Sequence, residues 1–278
     1  MRNILKTSKV GLVFRGCGLY SAHQAGFASA LGEIVGFREP HVIVAVSGGV
    51  AVSIFYLAER FKEMFDWPRL FADKRFISRR RLIGLQGQAP AMDVNFLVDS
   101  IFIRQVPNLF DEAAQKSTKI FVATTRFPEG SPHWSSGYSD LGKYFRATMT
   151  VPGIAGDGVM VGEELHLDGC LSVTTEMCVK KALQEGAEIV IVIDNEMTDP
   201  ASFLGRLAIR IACRRLKKDV REALMQFAAL QVKPFSAEPP VFACRARRFF
   251  ASNPFDPDPD ANYRAIQEGY EDGIRMFA

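Results

Sequence analysis

Residues 42–50 read Val42-Ile43-Val44-Ala45-Val46-Ser47-Gly48-Gly49-Val50. The β-branched run at the start of this stretch favours a strand, and the apolar segment that begins at Val50 favours a helix. Ser47 therefore lies where a strand turns sharply into a helix, which is the geometry of a nucleophile elbow. Ala45, Gly48 and Gly49 are small enough for the tight backbone of such a turn. The positive dipole end of the helix then lies at Ser47 and favours an oxyanion there.

The pattern on either side of this stretch alternates between strands and helices. Helical spacing of apolar residues occurs between strand-like runs, as at residues 22–34 and 176–185. The strand-like runs are Val10 to Phe14, Val42 to Val46, Lys119 to Ala123 and Glu188 to Ile193. Such alternation predicts an α/β fold, a three-layer αβα sandwich with a mainly parallel central sheet. Functional residues are then expected at the carboxyl ends of the strands.

The chain is expected to form a single domain over residues 1–278. Its composition, 48% hydrophobic and 23% charged, is that of a globular protein with a sizeable core. The motifs lie in a core predicted at residues 9–194, and residues 201–278 are predicted to be mostly helical. This C-terminal part includes a proline-rich stretch at residues 254–259 and a final amphipathic segment at residues 261–276.

Composition also narrows the class of protein and its location. Residues 1–9 contain no long apolar stretch, and the longest apolar run, residues 48–58, is shorter than the roughly 20 residues that span a bilayer. We therefore expect a cytoplasmic protein, peripheral at most to the inner face of a membrane.

Five cysteines without a Cys-x-x-Cys pair predict neither a disulfide framework nor a zinc site. The net charge of +3 is too small to indicate nucleic-acid binding.

A cluster of basic residues suggests one further surface. Arg206, Arg210 and Arg214 share one face of a predicted amphipathic helix. Such a helix either contacts an anionic membrane or is the solvated face of a packed helix. The Arg79-Arg80-Arg81 cluster has the same two interpretations.

A glycine-containing loop follows the first predicted strand and includes Gly16, Cys17 and Gly18. A turn of this kind, placed before a helix, presents backbone N–H groups that suit either a phosphate or the oxyanion of a tetrahedral intermediate. A dinucleotide-binding motif is not formed, because Ser21 occupies the position of its third glycine. A P-loop is not formed either, since no Gly-Lys-Ser/Thr follows.

An acidic candidate, Asp168, lies 121 residues after Ser47 and is followed by Gly169. Residues 159–161 and 165–167 predict a hairpin that ends at this aspartate. Asp157 is also followed by a glycine, but it is expected to lie in a loop.

A histidine base is not favoured for this serine. The chain has four histidines, His23, His41, His133 and His166. None follows the acid in the chain order of the common α/β-hydrolase triad. A serine–aspartate dyad makes a histidine unnecessary.

Taken together, these blocks resemble the patatin-like acyl hydrolase family over roughly residues 9–194. The glycine-rich loop, the serine elbow and the Asp-Gly pair occur in the family's order. Residues 120–125 are similar to its central strand, and residues 147–153 are similar to the segment that leads towards the aspartate hairpin.

The resemblance implies a dyad in which Asp168 takes the proton of Ser47 and Ser47 attacks an ester carbonyl. Gly16, Cys17 and Gly18 would supply N–H donors to the oxyanion, and neither a metal nor an organic cofactor is implied. The expected substrate is a phospholipid, a lysophospholipid or another lipid ester. A thioesterase or an acyltransferase would use the same dyad, and a catalytically inactive binding protein of this family is the non-enzymatic alternative.

The sequence departs from the family pattern at several positions. Ala45 replaces the first glycine of the elbow, Cys17 replaces the middle glycine of the loop, and Tyr20 replaces its usual basic residue. Cys170 replaces the second glycine after the aspartate, and residues 173–176 lack the usual asparagine and proline. Cys17 and Cys170 are expected to be small packing residues, with a redox-sensitive disulfide between them as the alternative.

Overall fold

The computed structural model describes most of the chain. The described residues are 5, 7–16, 18–66, 75–78, 90–194, 240–248, 250 and 255–278. Arg206, Arg210, Arg214 and the Arg79-Arg80-Arg81 cluster lie outside these residues. The basic surfaces therefore stay predictions.

One sheet of eight strands forms the centre of the described structure. The strands are β1 (Val10–Phe14), β2 (Val42–Val46), β3 (Lys119–Phe127), β4 (Ser131–Ser136), β5 (Val159–Val161), β6 (Glu164–Asp168), β7 (Ile189–Asp194) and β8 (Val241–Arg245). Their order is β5-β6-β3-β2-β1-β7-β8, and β4 pairs with β3. The pairs from β3 through β2, β1 and β7 to β8 are parallel, whereas β4, β5 and β6 join by antiparallel pairing. The predicted mainly parallel sheet is therefore confirmed.

Helices connect and follow these strands. They are α1 (Ser21–Glu33), α2 (Gly48–Leu57), α3 (Phe61–Phe65), α4 (Val94–Phe96), α5 (Leu109–Ala114), α6 (Leu141–Thr148), α7 (Thr175–Gln184) and α8 (Pro259–Phe277). A π-helical stretch (Leu97–Ile103) continues α4, and a single 3-10 turn (Gly169–Leu171) follows β6. None of the helices in the described ranges combines the length and the apolar character needed to span a bilayer.

Helices cover both faces of the sheet. In β1, Leu12 and Phe14 belong to the same core cluster as Phe27 of α1, whereas Val13 belongs to the cluster that includes Val179 of α7. Successive residues of a strand point to opposite faces, so a strand buried on both sides is apolar throughout. This arrangement confirms the predicted three-layer αβα sandwich.

Within the described residues, the C-terminal part differs from its prediction at residues 241–245. Residues expected to be helical form β8, which pairs in parallel with β7 and places Val241 opposite Val190. Strand formation here depends on the free edge of β7, a tertiary partner that the local sequence does not show. The predicted amphipathic segment at the end of the chain is confirmed as α8, which packs along α1.

Candidate active site

Ser47 lies between the end of β2 and the start of α2, in a strained backbone conformation. Its φ is 51° and its ψ is −131°, a region that residues other than glycine rarely adopt. The Ser47 N–H donates to Thr148 Oγ1 at 2.8 Å, and the Thr148 hydroxyl donates to the Ala123 carbonyl at 2.6 Å. Thr148 at the end of α6 thus connects the turn to β3 and fixes the direction of the serine.

This connection gives a prediction for stability. Replacing Thr148 with valine should lower the free energy of unfolding by about 1–3 kcal/mol, because the buried Ser47 N–H loses its acceptor. Denaturant unfolding would measure the change. Thr148→Ser, which keeps the hydroxyl, is the matched control, and equal stability of the two variants would contradict the assigned role of the hydrogen bond.

The Ser47 hydroxyl is paired with the carboxylate of Asp168. Ser47 Oγ donates to Asp168 Oδ2 at 2.8 Å, although the two residues are 121 positions apart in the chain. The other carboxylate oxygen, Oδ1, accepts from the Cys170 N–H at 2.8 Å. The backbone of Asp168 is also held, since its N–H donates to Thr150 and its carbonyl accepts from the Thr125 hydroxyl at 2.8 Å. The carboxylate is therefore fixed on both sides.

Burial changes the acidity of this carboxyl. Only 1% of Asp168 is exposed, and desolvation raises its pKa to about 6 against the lowering effects of the Cys170 and Ser47 hydrogen bonds and of Arg15. A carboxylate with this pKa is ionised at neutral pH and is a stronger base than an exposed aspartate. The environment thus suits Asp168 to accept a proton.

The loop after β1 lies directly against the elbow. Gly16 and Gly18 line the same cavity as Ser47. An added Cβ at Gly16 would lie 2.7 Å from the Ser47 Cβ, and an added Cβ at Gly48 would lie 2.7 Å from the Gly18 carbonyl oxygen. Neither Gly16 nor Gly48 can therefore carry a side chain. Within the described ranges, no backbone acceptor takes up the N–H of Gly16 or Gly18. Cys17, the third predicted donor, lies outside the described residues.

The remaining predicted small residues surround the dyad. Ala45 is fully buried in β2, so its methyl group is accommodated without opening the elbow. Gly49 backs onto Phe14, and Gly169 begins the 3-10 turn after Asp168 and backs onto Ala123.

An apolar cavity with a volume of about 200 Å³ lies beside the pair formed by Ser47 and Asp168. Both of these residues line it, and so do Gly16, Gly18 and Gly48. The other side chains that line it are mostly apolar, and some of them come from segments remote in sequence: Leu19, Ser21, Ala22, Ala51, Phe76, Met92, Met149, Val151, Cys170, Phe255 and Asn262. Sequence reasoning missed Phe76, Met92, Phe255 and Asn262, because no motif or spacing marks them.

None of the four histidines lines this cavity. His23 is buried beside Asp272, and His41 contacts the carbonyl of Glu185. His133 and His166 pack edge to face with ring centroids 4.9 Å apart, and His166 contacts the Thr124 hydroxyl. The Ser47 hydroxyl therefore has a carboxylate as its neighbour and no imidazole.

Asp157 and Cys170, which the sequence also marks as candidates, differ in their position relative to the cavity. Asp157, the rival aspartate, is exposed, and it does not line the cavity. Cys170 lines the cavity, and its sulfur accepts from the buried Arg15 guanidinium at 3.5 Å. A disulfide with Cys17 stays a hypothesis, since Cys17 lies outside the described residues.

Comparison with known proteins finds similarity in structure but not in sequence. No protein-family model matches the chain, and no curated protein matches it in sequence. Among solved structures, the chain is similar to VipD from Legionella pneumophila, with 10% sequence identity and a TM-score of 0.47. The match covers 97% of this chain, which spans 66% of the VipD chain. A function must therefore be inferred from the geometry of the site.

Proposed function

We propose that the protein is a patatin-like acyl hydrolase that cleaves an ester bond of a lipid, with Ser47 as nucleophile and Asp168 as general base. The hydrogen bond of 2.8 Å from Ser47 Oγ to Asp168 Oδ2 is the observation that carries this proposal. A hydroxyl held against a buried carboxylate of raised pKa, at a strained strand-to-helix turn, is arranged for nucleophilic attack.

The reaction then runs through an acyl-enzyme. Asp168 takes the Ser47 proton as Oγ attacks the ester carbonyl carbon, and the carbonyl oxygen becomes an oxyanion. In this proposal the N–H groups of Gly16 and Gly18 donate to that oxygen and stabilise its charge, a contribution of about a hundredfold or more in rate for one donor. Asp168 returns the proton to the leaving alcohol, and water activated by the same carboxylate releases the acid.

The cavity indicates the substrate class. Its walls are apolar side chains such as Leu19, Phe76 and Met92, and its volume is about 200 Å³. An acyl chain gains about 0.8 kcal/mol for each methylene that it buries, so a fatty acyl ester is favoured over a short polar ester. We propose a phospholipid or a lysophospholipid as the natural substrate.

A fluorophosphonate probe tests the activated serine directly. The folded protein should be labelled at Ser47, and it should release fatty acid from a mixed panel of phospholipids and from p-nitrophenyl esters. An unlabelled and inert folded protein would overturn the proposal and favour a binding protein. Release of the acyl group only when an alcohol or a thiol acceptor is added would instead identify an acyltransferase.

The pH dependence of hydrolysis gives a further prediction. Because the base must be ionised, kcat/KM should fall tenfold per pH unit below the pKa of Asp168, which is about 6. It should be nearly constant between about pH 7 and 8. The measurement uses a p-nitrophenyl ester with detection that does not depend on product ionisation, and circular dichroism verifies that the fold persists at each pH. A flat profile down to pH 4.5 would contradict the assignment of Asp168 as base.

A further inference from the structure

A second cluster of reactive side chains lies outside the cavity of the dyad. His23 of α1, Cys244 of β8 and Asp272 of α8 are all buried, and each offers a ligand atom within 4.8 Å of the other two. None of them lines the cavity that contains Ser47. Three segments that are remote in sequence thus bring a nitrogen, a sulfur and an oxygen donor to one place.

The protein contacts of this cluster leave lone pairs unused. His23 Nε2 donates to Asp272 Oδ2 at 3.2 Å, since an ionised carboxylate can only accept. The other nitrogen, Nδ1, is buried and has no hydrogen-bond partner within the described residues, and the same holds for Oε2 of Glu268. Glu268 lies one turn before Asp272 on α8. Buried polar atoms are seldom left unpaired, and a cation satisfies two such lone pairs at once.

We propose that His23, Cys244 and Asp272 bind a divalent transition-metal ion, with Zn²⁺ as the first candidate. Imidazole, thiolate and carboxylate are the ligands that zinc takes in proteins. Glu268 or a water molecule is the fourth ligand. The donor atoms contract around the ion, because zinc holds nitrogen and oxygen at about 2.0–2.2 Å and sulfur at about 2.3 Å.

Two arginines compensate the charge of the carboxylates through Glu268 Oε1 and Asp272 Oδ1, and they leave Glu268 Oε2 and Asp272 Oδ2 to the ion. Arg247 contacts Glu268 at 3.1 Å and Asp272 at 3.3 Å, and Arg275 contacts Asp272 at 3.2 Å. Their side chains are 54% and 61% exposed, so both can turn into solvent at small cost. Binding releases the Cys244 thiol proton to solvent, and the imidazole keeps its remaining proton on the nitrogen that does not bind the metal.

The site joins α8 to α1 and to the sheet. Phe255 and Asn262, which line the cavity of the dyad, belong to the same C-terminal segment as Asp272. The metal therefore holds one wall of that cavity in place without taking part in the ester chemistry. The proposed metal site does not depend on whether Ser47 is a nucleophile.

Metal titration of the full chain tests the site. Protein stripped with a chelator should bind one equivalent of Zn²⁺, and a hundredfold excess over the Kd should raise Tm by roughly 5 °C. Co²⁺ in place of zinc should give the absorption of a thiolate-to-metal charge transfer. Cys244→Ser should lose this absorption and most of the Tm shift, and His23→Asn should lose most of the affinity.

Cys178→Ser is the matched control, since Cys178 is buried in α7 and outside the cluster. It should bind metal like the wild type. Absence of stoichiometric binding by the folded wild type would overturn the site and leave the cluster as an ion-pair network. Equal cobalt spectra for Cys244→Ser and the wild type would overturn the thiolate ligand. Tm is read without any substrate, so a failed hydrolase assignment does not affect the result.

Discussion

Replacing Ser47 with alanine should lower the turnover of a p-nitrophenyl acyl ester by at least about 10⁴-fold. The substitution removes the atom that attacks the ester, and loss of a serine nucleophile costs this much or more when the acyl-enzyme is obligatory. Fluorophosphonate labelling of the variant should be absent. Both measurements are made on the full chain at pH 8, where Asp168 is ionised.

Ser53→Ala is a matched control for this change. Ser53 is also buried in α2, but its hydroxyl donates to the carbonyl of Val50 within the helix and does not line the cavity. It should retain full activity and labelling. The alanine at position 47 inherits the same backbone conformation, so a large loss of stability is not expected. Undiminished hydrolysis by a folded Ser47→Ala protein would exclude Ser47 as the nucleophile.

The elbow was predictable because its determinants are local. A β-branched run, a serine and two glycines lie in nine consecutive residues, and β1 and β2 have the predicted bounds. The position of Asp168 followed from a hairpin that is equally local, and the hairpin is confirmed as β5 and β6. What the sequence alone did not contain is the distance of 2.8 Å between Ser47 Oγ and Asp168 Oδ2.

The unpredicted parts depend on partners far along the chain. β8 forms because β7 offers an edge, and β4 pairs with β3 from Phe121 to Arg126, beyond the predicted end of that strand at Ala123. The same applies to Thr148, whose hydroxyl holds the Ser47 N–H across 101 residues. Phe255 and Met92 likewise line the cavity because segments far apart in the chain pack together. A local pattern identifies an element and its reactive residue, whereas the surroundings of that residue are set by packing.

The cluster of His23, Cys244 and Asp272 extends this argument to metal sites. Cysteine spacing favours a zinc site only when the ligands lie close in sequence. Here the three residues lie on α1, β8 and α8, which become neighbours through the sheet and the packing of α8 along α1. Such a site has no sequence signature, so the cysteine spacing could not have predicted it.

Replacing Asp168 with asparagine should lower kcat by about 10³–10⁴-fold and make the protein more stable at pH 8. The activity falls because an amide does not accept the Ser47 proton. Asparagine has the same shape, and its amide oxygen still accepts from the Cys170 N–H while its nitrogen faces Ser47 Oγ. The hydrogen bonds of the site are therefore largely kept, and the charge is removed.

The gain in stability follows from the raised pKa of Asp168. The pKa is about 6 in the folded protein and 3.8 for the ordinary group, so folding favours the protonated form. The contribution of Asp168 to stability is greatest below pH 3.8 and falls as the pH rises from 3.8 to 6. Above pH 6 the wild type is therefore less stable than it is below pH 3.8, by about 3 kcal/mol. Asp168→Asn does not undergo this loss. Its advantage in free energy of unfolding should thus be about 0.5 kcal/mol at pH 4 and reach about 3 kcal/mol at pH 8.

Denaturant unfolding at both pH values separates this effect from a general change in packing. Asp157→Asn is the control, because Asp157 is exposed and its charge is already solvated, and it should change neither activity nor stability. An Asp168→Asn protein that is less stable than the wild type at pH 8 would mean that the carboxylate is a structural acceptor first. An Asp168→Asn protein that is more stable but inactive would show that the wild type is less stable because it keeps a buried base beside Ser47.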